Sequence, residues 1–496
     1  MAYDISIPAP IVPELEEPRA VAPSSASRQK LWAVVVTGVF ALVSVATYAY
    51  NEYYMYLSAY LWFGFVYGMC LQYGRFCFAS AFRDLFAIGV PRMVVGIMIA
   101  TVFFALVSSL VSATGFSTFH PSPSGAHSVV AGTIFGVGMV VAGGCASGSL
   151  YKAGEGKVAA MIVILSISVT QSSLADVGGP LNALVPASWH ASATSKGLPE
   201  VLAAGDGWLD QYLAGYVWNH PTLTFAQVLG LENASLAGAL GGNFLVGVVL
   251  PAVAVLAIAY VVWARKGHVK ELAKRGGAPG LRGELAGFWR MVMSSRRTAI
   301  AGLVLGVACG LQMFVIEGLR IKFGIRNAGE LLTRLGSDYG LSVRGTVFDP
   351  GYWYVTTQEA QWVGWVAQKL GWNNMDNIFF GYVNGIPNPA LNPADWMSIA
   401  LIGGAAVMAL LHGEFKLKTP TLGQAGWAVL GGVLMGVGSR LGLGCNVGAF
   451  FVRAANGDVG GWLFGVGMIA GAYLGVRFFG WWTERQMRRE LAALDL

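Results

Sequence analysis

Gly132-Thr-Ile-Phe-Gly136-Val-Gly138, with Gly144-Cys145-Ala-Ser-Gly148 close behind, returns as Gly432-Val-Leu-Met-Gly436-Val-Gly438 and Gly444-Cys445-Asn-Val-Gly448. Five glycines and a cysteine recur 300 positions later in one register, without a gap. Glycine supplies 67 of the 496 residues, so two or three coincidences would mean little; six in register mark an internal repeat. A weaker match precedes it. Gly64-Phe-Val-Tyr-Gly68 with Cys70 resembles Gly302-Leu-Val-Leu-Gly306 with Cys309, one step out at the cysteine.

The repeat lies in a chain built for lipid. It is 55% apolar and only 12% charged, against about 45–50% and 25% in soluble domains. That composition excludes a soluble enzyme, a disordered chain and a nucleic-acid binder, despite a pI near 9.0. The glycines keep no three-residue period, which excludes collagen. Apolar runs at roughly 31–50, 56–74, 93–113, 128–143, 158–175, 236–264, 298–320, 396–411, 425–440 and 458–482 are long enough to cross a bilayer. The predicted fold is therefore an all-α polytopic membrane protein of about ten transmembrane helices, with an inverted-topology internal repeat and re-entrant cysteine loops.

Charge sets the orientation. Between positions 265 and 297, nine Lys/Arg face only Glu271 and Glu284, a local +7 against +6 for the whole chain. Short basic loops stay in the cytoplasm. Residues 1–29 read as an acidic, disordered cytoplasmic tail, and 31–50 as a retained span rather than a secretory signal. Threading the spans from a cytoplasmic start puts 265–297, 412–420 and the 483–496 tail inside. The expected organisation is repeat half A at 30–264 with an outer insert at 176–235, a basic linker at 265–297, and half B at 298–482 with an outer insert at 321–395. The repeat units hold about four spans each, leaving 31–50 and 236–264 outside the repeat. The localisation expected is the bacterial cytoplasmic (inner) membrane, with both termini cytoplasmic.

The same threading runs the Gly132/Gly136 span outside-to-inside and the Gly432/Gly436 span inside-to-outside. Stretches 145–157 and 445–458 are too short and glycine-rich to cross again, so they read as re-entrant loops from opposite faces. Inverted repeats of this kind belong to transporters, whose substrate site lies near mid-membrane at the repeat interface.

Each loop sets Gly-Cys near the start of a half-helix, where free backbone N–H groups and the helix dipole favour an anion. Gly144, Gly148, Gly444 and Gly448 allow close approach, and Asn446 offers a donor to an oxyanion. Cysteine adds a weak S–H donor on a polarisable atom. An oxyanion alone would be better served by Ser or Arg, so thiols in both loops point to a sulphur-bearing substrate. Cys77 has no exact mate but follows Arg75 closely and precedes Arg83 and Asp84. Charge amid apolar flanks is costly and often functional, although Arg83–Asp84 also fits a plain edge ion pair. Lys152 and Glu155 after the first loop, and Arg453 and Asp458 after the second, read as supporting charges or as local pairs that pin the loops. Arg440 is placed to attract anions from outside. The six histidines show no metal-ligand spacing, C-x-x-C is absent, and no pair of intramembrane carboxylates stands out. No metal or cofactor is called for.

At these residues the sequence resembles the YeeE/YedE family of sulphur-transport membrane proteins. The matching pieces are Phe76-Cys77-Phe-Ala-Ser-Ala-Phe-Arg83-Asp84, Gly143-Gly-Cys145-Ala-Ser-Gly148 with Gly154-Glu-Gly156, and Gly444-Cys445-Asn-Val-Gly448-Ala-Phe-Phe with Gly457-Asp458 and Gly460-Gly-Trp462. The resemblance implies thiosulfate or a related sulphur species as substrate. It also implies three cysteines, here Cys77, Cys145 and Cys445, that pass it inward through weak S–H hydrogen bonds.

The expected function is a non-enzymatic uptake conduit for a small sulphur-containing anion. The alternatives are a membrane sensor of such a species and a membrane thiol-disulfide enzyme. The partners expected are the anion, the lipid bilayer and a cytoplasmic sulphur-carrier or sulphur-metabolising protein, with no nucleic acid.

Overall fold

The computed structural model describes residues 23–119, 124–174, 217–219, 224–274, 280–326, 328–337, 353, 355–371 and 386–494. Residues 1–22 of the expected tail, most of the expected outer insert 176–235, and stretches 338–352 and 372–385 of the expected insert 321–395 lie outside the described residues. Helix α1 (Pro23–Tyr50) begins inside the 1–29 stretch expected to be disordered. The chain continues as α2 (Tyr54–Gly74), α3 (Phe78–Ile88), α4 (Arg92–Ala113), α5 (Ala126–Val141), α6 (Ala146–Gly154) and α7 (Val158–Leu174). A long helix α8 (Ala237–Lys274) leads to α9 (Leu281–Val292), α10 (Arg296–Phe323) and α11 (Ala328–Arg334). Then come α12 (Val355–Lys369), α13 (Pro393–Leu411), α14 (Leu422–Leu441), α15 (Asn446–Val452, running on through Arg453–Ala455) and α16 (Val459–Leu494).

Nine helices among the described residues are long and apolar enough to cross a membrane. The tenth expected span is α7, a little shorter than the rest. This is an all-α polytopic membrane protein. α1 shows its apolar side chains, Leu31, Val34, Leu42 and Val45 among them, to the outside, as a lipid-facing helix must. It rests on α13 through Phe40 against Gly403.

Lipid tails are as apolar as leucine, so helices in a bilayer associate mainly by close packing at small residues. The glycines do this here. Gly132 meets Phe464 and Gly136 meets Met468, so α5 and α16 run parallel; Gly432 meets Val163 and Gly436 meets Ile167, so α14 and α7 do too. Gly64 on Met397 with Gly68 on Leu401 aligns α2 with α13, and Gly302 on Gly96 with Gly306 on Ala100 aligns α10 with α4. At the centre the sense reverses. A Cβ on Gly138 would stand 2.8 Å from the Gly431 carbonyl oxygen, and one on Gly438 would stand 2.8 Å from that of Ala131, so α5 and α14 are antiparallel.

These pairings are reciprocal. α2 packs on α13 as α10 packs on α4, and α5 on α16 as α14 on α7. Two short helices join the pattern: α3 lies on α16, and α12 lies on α7. α12 falls inside the 321–395 stretch read as an outer insert, yet Val355, Thr356, Gln358, Ala360 and Gln361 are buried.

Candidate functional site

Three cysteines occupy one kind of position. α2 ends at Arg75, whose left-handed φ of 54° turns the chain so that the Phe76 N–H donates to the Leu71 carbonyl at 2.8 Å. Cys77 then becomes the extended N-cap of α3. After α5, Gly143 (φ 68°) makes the turn and Cys145 caps α6. After α14, Leu443 (φ 56°) takes the same conformation 300 positions on, and Cys445 caps α15. Their carbonyls accept the first helical bonds, from Ala81, Ser149 and Ala449 at 2.9, 2.8 and 2.7 Å. Leu443 holds this conformation without glycine's freedom, at a cost of about 1–2 kcal/mol.

The cysteines are brought together as far as the turns allow. Cys77 Sγ lies 3.7 Å from Cys145 Sγ, and both thiols are free. The Gly148 N–H donates to Cys145 Sγ at 3.3 Å. Gly148 floors the pair; a Cβ there would stand 2.5 Å from Cys77 Sγ and 3.0 Å from Cys145 Sγ. From Cys145 the polar thread continues to Ser147 Oγ at 3.6 Å, which accepts from Asn446 Nδ2 at 3.1 Å. Asn446 adjoins Cys445, so this bond joins the Cys145 and Cys445 turns. The amides of Gly448, Val447 and Thr356 surround the Cys445 sulphur; Thr356 belongs to the first turn of α12. All three cysteines are 1% exposed or less.

A cavity of about 20 Å³ lies beside the thread, lined by Phe76, Phe78, Leu305, Val447 and Phe451 with Ser147 and Trp353. It has room for about one water. The Trp353 indole N–H is buried and has no acceptor among the described residues. Cys70 and Cys309 sit apart from the thread, near Tyr67.

The predicted supporting charges do not converge on the thiols. Arg75 pairs with Glu414 at 2.8 Å on an exposed edge, and Arg83 with Asp84 at 3.0 Å, also at the edge. Glu155 is held by Lys157 at 2.6 Å, while the Lys416 and Lys418 amides donate to the Glu155 and Gly156 carbonyls. Arg453 and Asp458 make a buried pair at 2.7 Å, and the Gly460 N–H donates to the same carboxylate at 2.8 Å. Apart from the Arg83–Asp84 pair within α3, these pairs lie at helix ends. Lys152 donates to the Gly143 carbonyl at 2.6 Å and bears on Cys77 electrostatically, which makes it the one predicted cation that closes on a thiol turn. Arg440 is 5% exposed, buried at the end of α14 rather than displayed on an outer surface.

The sequence reading missed Ser147, Trp353 and the first turn of α12. It also missed two buried carboxylates, Glu359 on α12 and Asp395 on α13. Ser147 had a signal, since it sits inside the repeated motif where the other copy has Val447. Glu359 and Asp395 were hidden because both fall in the stretch read as an outer insert.

The family description "Sulphur transport" matches residues 73–474, which contain all three N-cap cysteines. The chain belongs to the sulphur-transport family. Thiosulfate transporter TsuA of Spirochaeta thermophila is 25% identical over 82% of this chain and 94% of its own length. Thiosulfate transporter TsuA of Escherichia coli is 27% identical over 83% of this chain and 91% of its own. Probable transporter YedE of Escherichia coli is 27% identical over 32% of this chain and 38% of its own. These relatives of the sulphur-transport protein are named as transporters, not as enzymes.

Proposed function

We propose that this protein takes up thiosulfate across the inner membrane, and that Cys445, Cys145 and Cys77 hand the anion inward in that order. The observation that carries the reading is the buried polar thread from the Cys77–Cys145 pair, through Ser147 and Asn446, to the turn of Cys445. The cavity beside it is hemmed by aromatic and aliphatic side chains. Thiols at half-helix N-termini give weak donors and a favourable dipole without a fixed cation. The anion is therefore held loosely enough to move on.

The reading includes an inverted repeat, with α2–α7 forming one half and α10 together with α12–α16 the other. The antiparallel α5–α14 contact and the reciprocal pairings support it. On this reading α3, α6, α12 and α15 are re-entrant half-helices, and both termini face the cytoplasm. A cytoplasmic sulphur-metabolising protein receives the anion.

Uptake of labelled thiosulfate by cells carrying C145A or C445A tests the relay. Both variants are expected to lose most uptake at equal protein levels; unchanged uptake in both discards the relay. A proteoliposome comparison tests the substrate, since preference for sulphate over thiosulfate contradicts the role given to the thiols.

A further inference from the structure

Beside the third thiol lie two acids that the cysteine thread does not use. Glu359, one turn into α12, is 8% exposed, and Asp395, in the first turn of α13, is 1% exposed. α12 packs on α13. The charge of Glu359 bears on both Asp395 and Cys445. Trp362 donates to Asp395. Neither oxygen of Glu359, nor Oδ2 of Asp395, meets a donor among the described residues. The neighbouring hydroxyls of Thr356 and Ser398 are also buried and unpartnered.

Among the described residues the surrounding elements supply no counter-charge. α13 contributes Asp395, and the turn before α15 contributes the Cys445 thiol. α7 is without titratable side chains and faces α12 with Ser172, whose hydroxyl donates to the Ala360 carbonyl at 2.6 Å. On α6, Lys152 turns to Gly143, and Glu155 beyond it turns to Lys157. No cation bears on either acid among the described residues.

An ionised carboxylate this deep, with an unpartnered oxygen and no counter-ion among the described residues, is disfavoured by desolvation. A proton removes that penalty. A dianion reaching Cys445 adds repulsion to the same field, so anion and proton occupancy favour each other, and linkage makes that coupling reciprocal. We propose that Glu359 and Asp395 form a proton site that couples thiosulfate uptake to proton entry. The proposal rests on the transport reading above. One proton is taken from outer water onto a carboxylate oxygen and stays there while the anion occupies Cys445. The same O–H breaks to release it to inner water when the anion leaves. No other bond changes.

The test is thiosulfate flux in proteoliposomes of the full chain, with the membrane potential clamped by potassium and valinomycin. For each coupled proton, an inward gradient of one pH unit raises the steady-state thiosulfate accumulation ratio about tenfold. Thiosulfate addition should also acidify a lumenal pH dye. E359Q and D395N, each first checked for folding by gel filtration, should lose both the stimulation and the acidification. Wild-type flux that ignores the pH gradient, or follows a sodium gradient instead, overturns the proton site while leaving thiosulfate transport standing. Full stimulation in both variants overturns it as well. Absence of any wild-type thiosulfate flux overturns the transport reading itself.

Discussion

Gly148→Ala places one methyl group between two thiols. Its Cβ would stand 2.5 Å from Cys77 Sγ and 3.0 Å from Cys145 Sγ, where a relaxed carbon–heavy-atom contact needs roughly 3.5–4.0 Å. Relief requires one sulphur to retreat by about 1 Å. The thiols begin 3.7 Å apart, so that retreat takes them beyond mutual hydrogen-bonding reach. Overpacking of this kind costs about 1–3 kcal/mol in stability. Losing one weak anion-handling contact of about 1.4 kcal/mol would slow uptake about tenfold. The assay is initial-rate uptake of labelled thiosulfate, normalised to protein in the membrane. Alongside it runs diamide-induced coupling of Cys77 to Cys145, read by mass spectrometry. G426A is the control, because a Cβ there meets nothing within 4 Å and a helical Gly→Ala change is mildly stabilising. If G148A takes up thiosulfate like wild type and couples its thiols at the same rate, the two sulphurs are not a shared station and the relay is wrong at its best-defined step.

C145S should improve the cap of α6, since serine is a preferred N-cap, yet slow thiosulfate uptake; a thermal melt in detergent beside the uptake assay reads the opposed signs, and unchanged or faster uptake contradicts the need for a thiol. R453M strands the Asp458 carboxylate, itself 1% exposed, and should cost about 3–5 kcal/mol. The same melt should show R453M strongly destabilised, with R453M/D458L recovering much of the loss. Glu284 on α9 is held below the usual carboxylate range, first by its hydrogen bond to Arg265 and then by that to Tyr260. A depressed folded value means this contribution is present above the unfolded value of about 4.3 and lost as pH falls through the folded one. Hydrogen exchange should accordingly show α9 loosening on acidification through that window, more in wild type than in E284Q.

The parts of this molecule legible in the sequence are those where one residue type is the only workable answer. Helix contacts at Gly132, Gly138 and Gly432 leave no space for a Cβ, so glycine is required and the repeat can be read by eye. The N-cap cysteines stand out because other residues cap better. The burial of Glu359 was not legible. α12 carries Gln358, Glu359, Gln361 and Gln368 within 15 residues, a composition that looks like a solvated surface helix. It is buried only because α7 and α13 come to cover it from distant parts of the chain. The Asn446–Ser147 bond spans 299 positions, and local pattern contains no trace of such a partner. Glu155, Arg453 and Asp458 were visible as polar residues amid glycine. Their partners lie two and five residues away, so they brace the turns instead of converging on the thiols.

Three helix N-termini carry cysteine where serine, threonine or aspartate would cap more strongly, by up to about 1 kcal/mol each. Of these, only Cys145 receives its own N3 amide, at 3.3 Å; Cys77 and Cys445 make no side-chain cap bond. Sulphur accepts only weakly, so the first-turn amides are held loosely at the point where the dipole is most positive. A hydroxyl or carboxylate cap would satisfy those amides permanently and close them to an incoming anion. Arginine would hold a dianion with a fixed charge in low dielectric, too tightly for release. A thiol does neither. It fills the position and, on the proposed relay, would yield the amides to an anion whose terminal sulphur matches its own polarisability. On the proposed relay, the weak capping answers the same requirement that keeps the supporting charges paired away from the thread: each station would have to bind, and then let go.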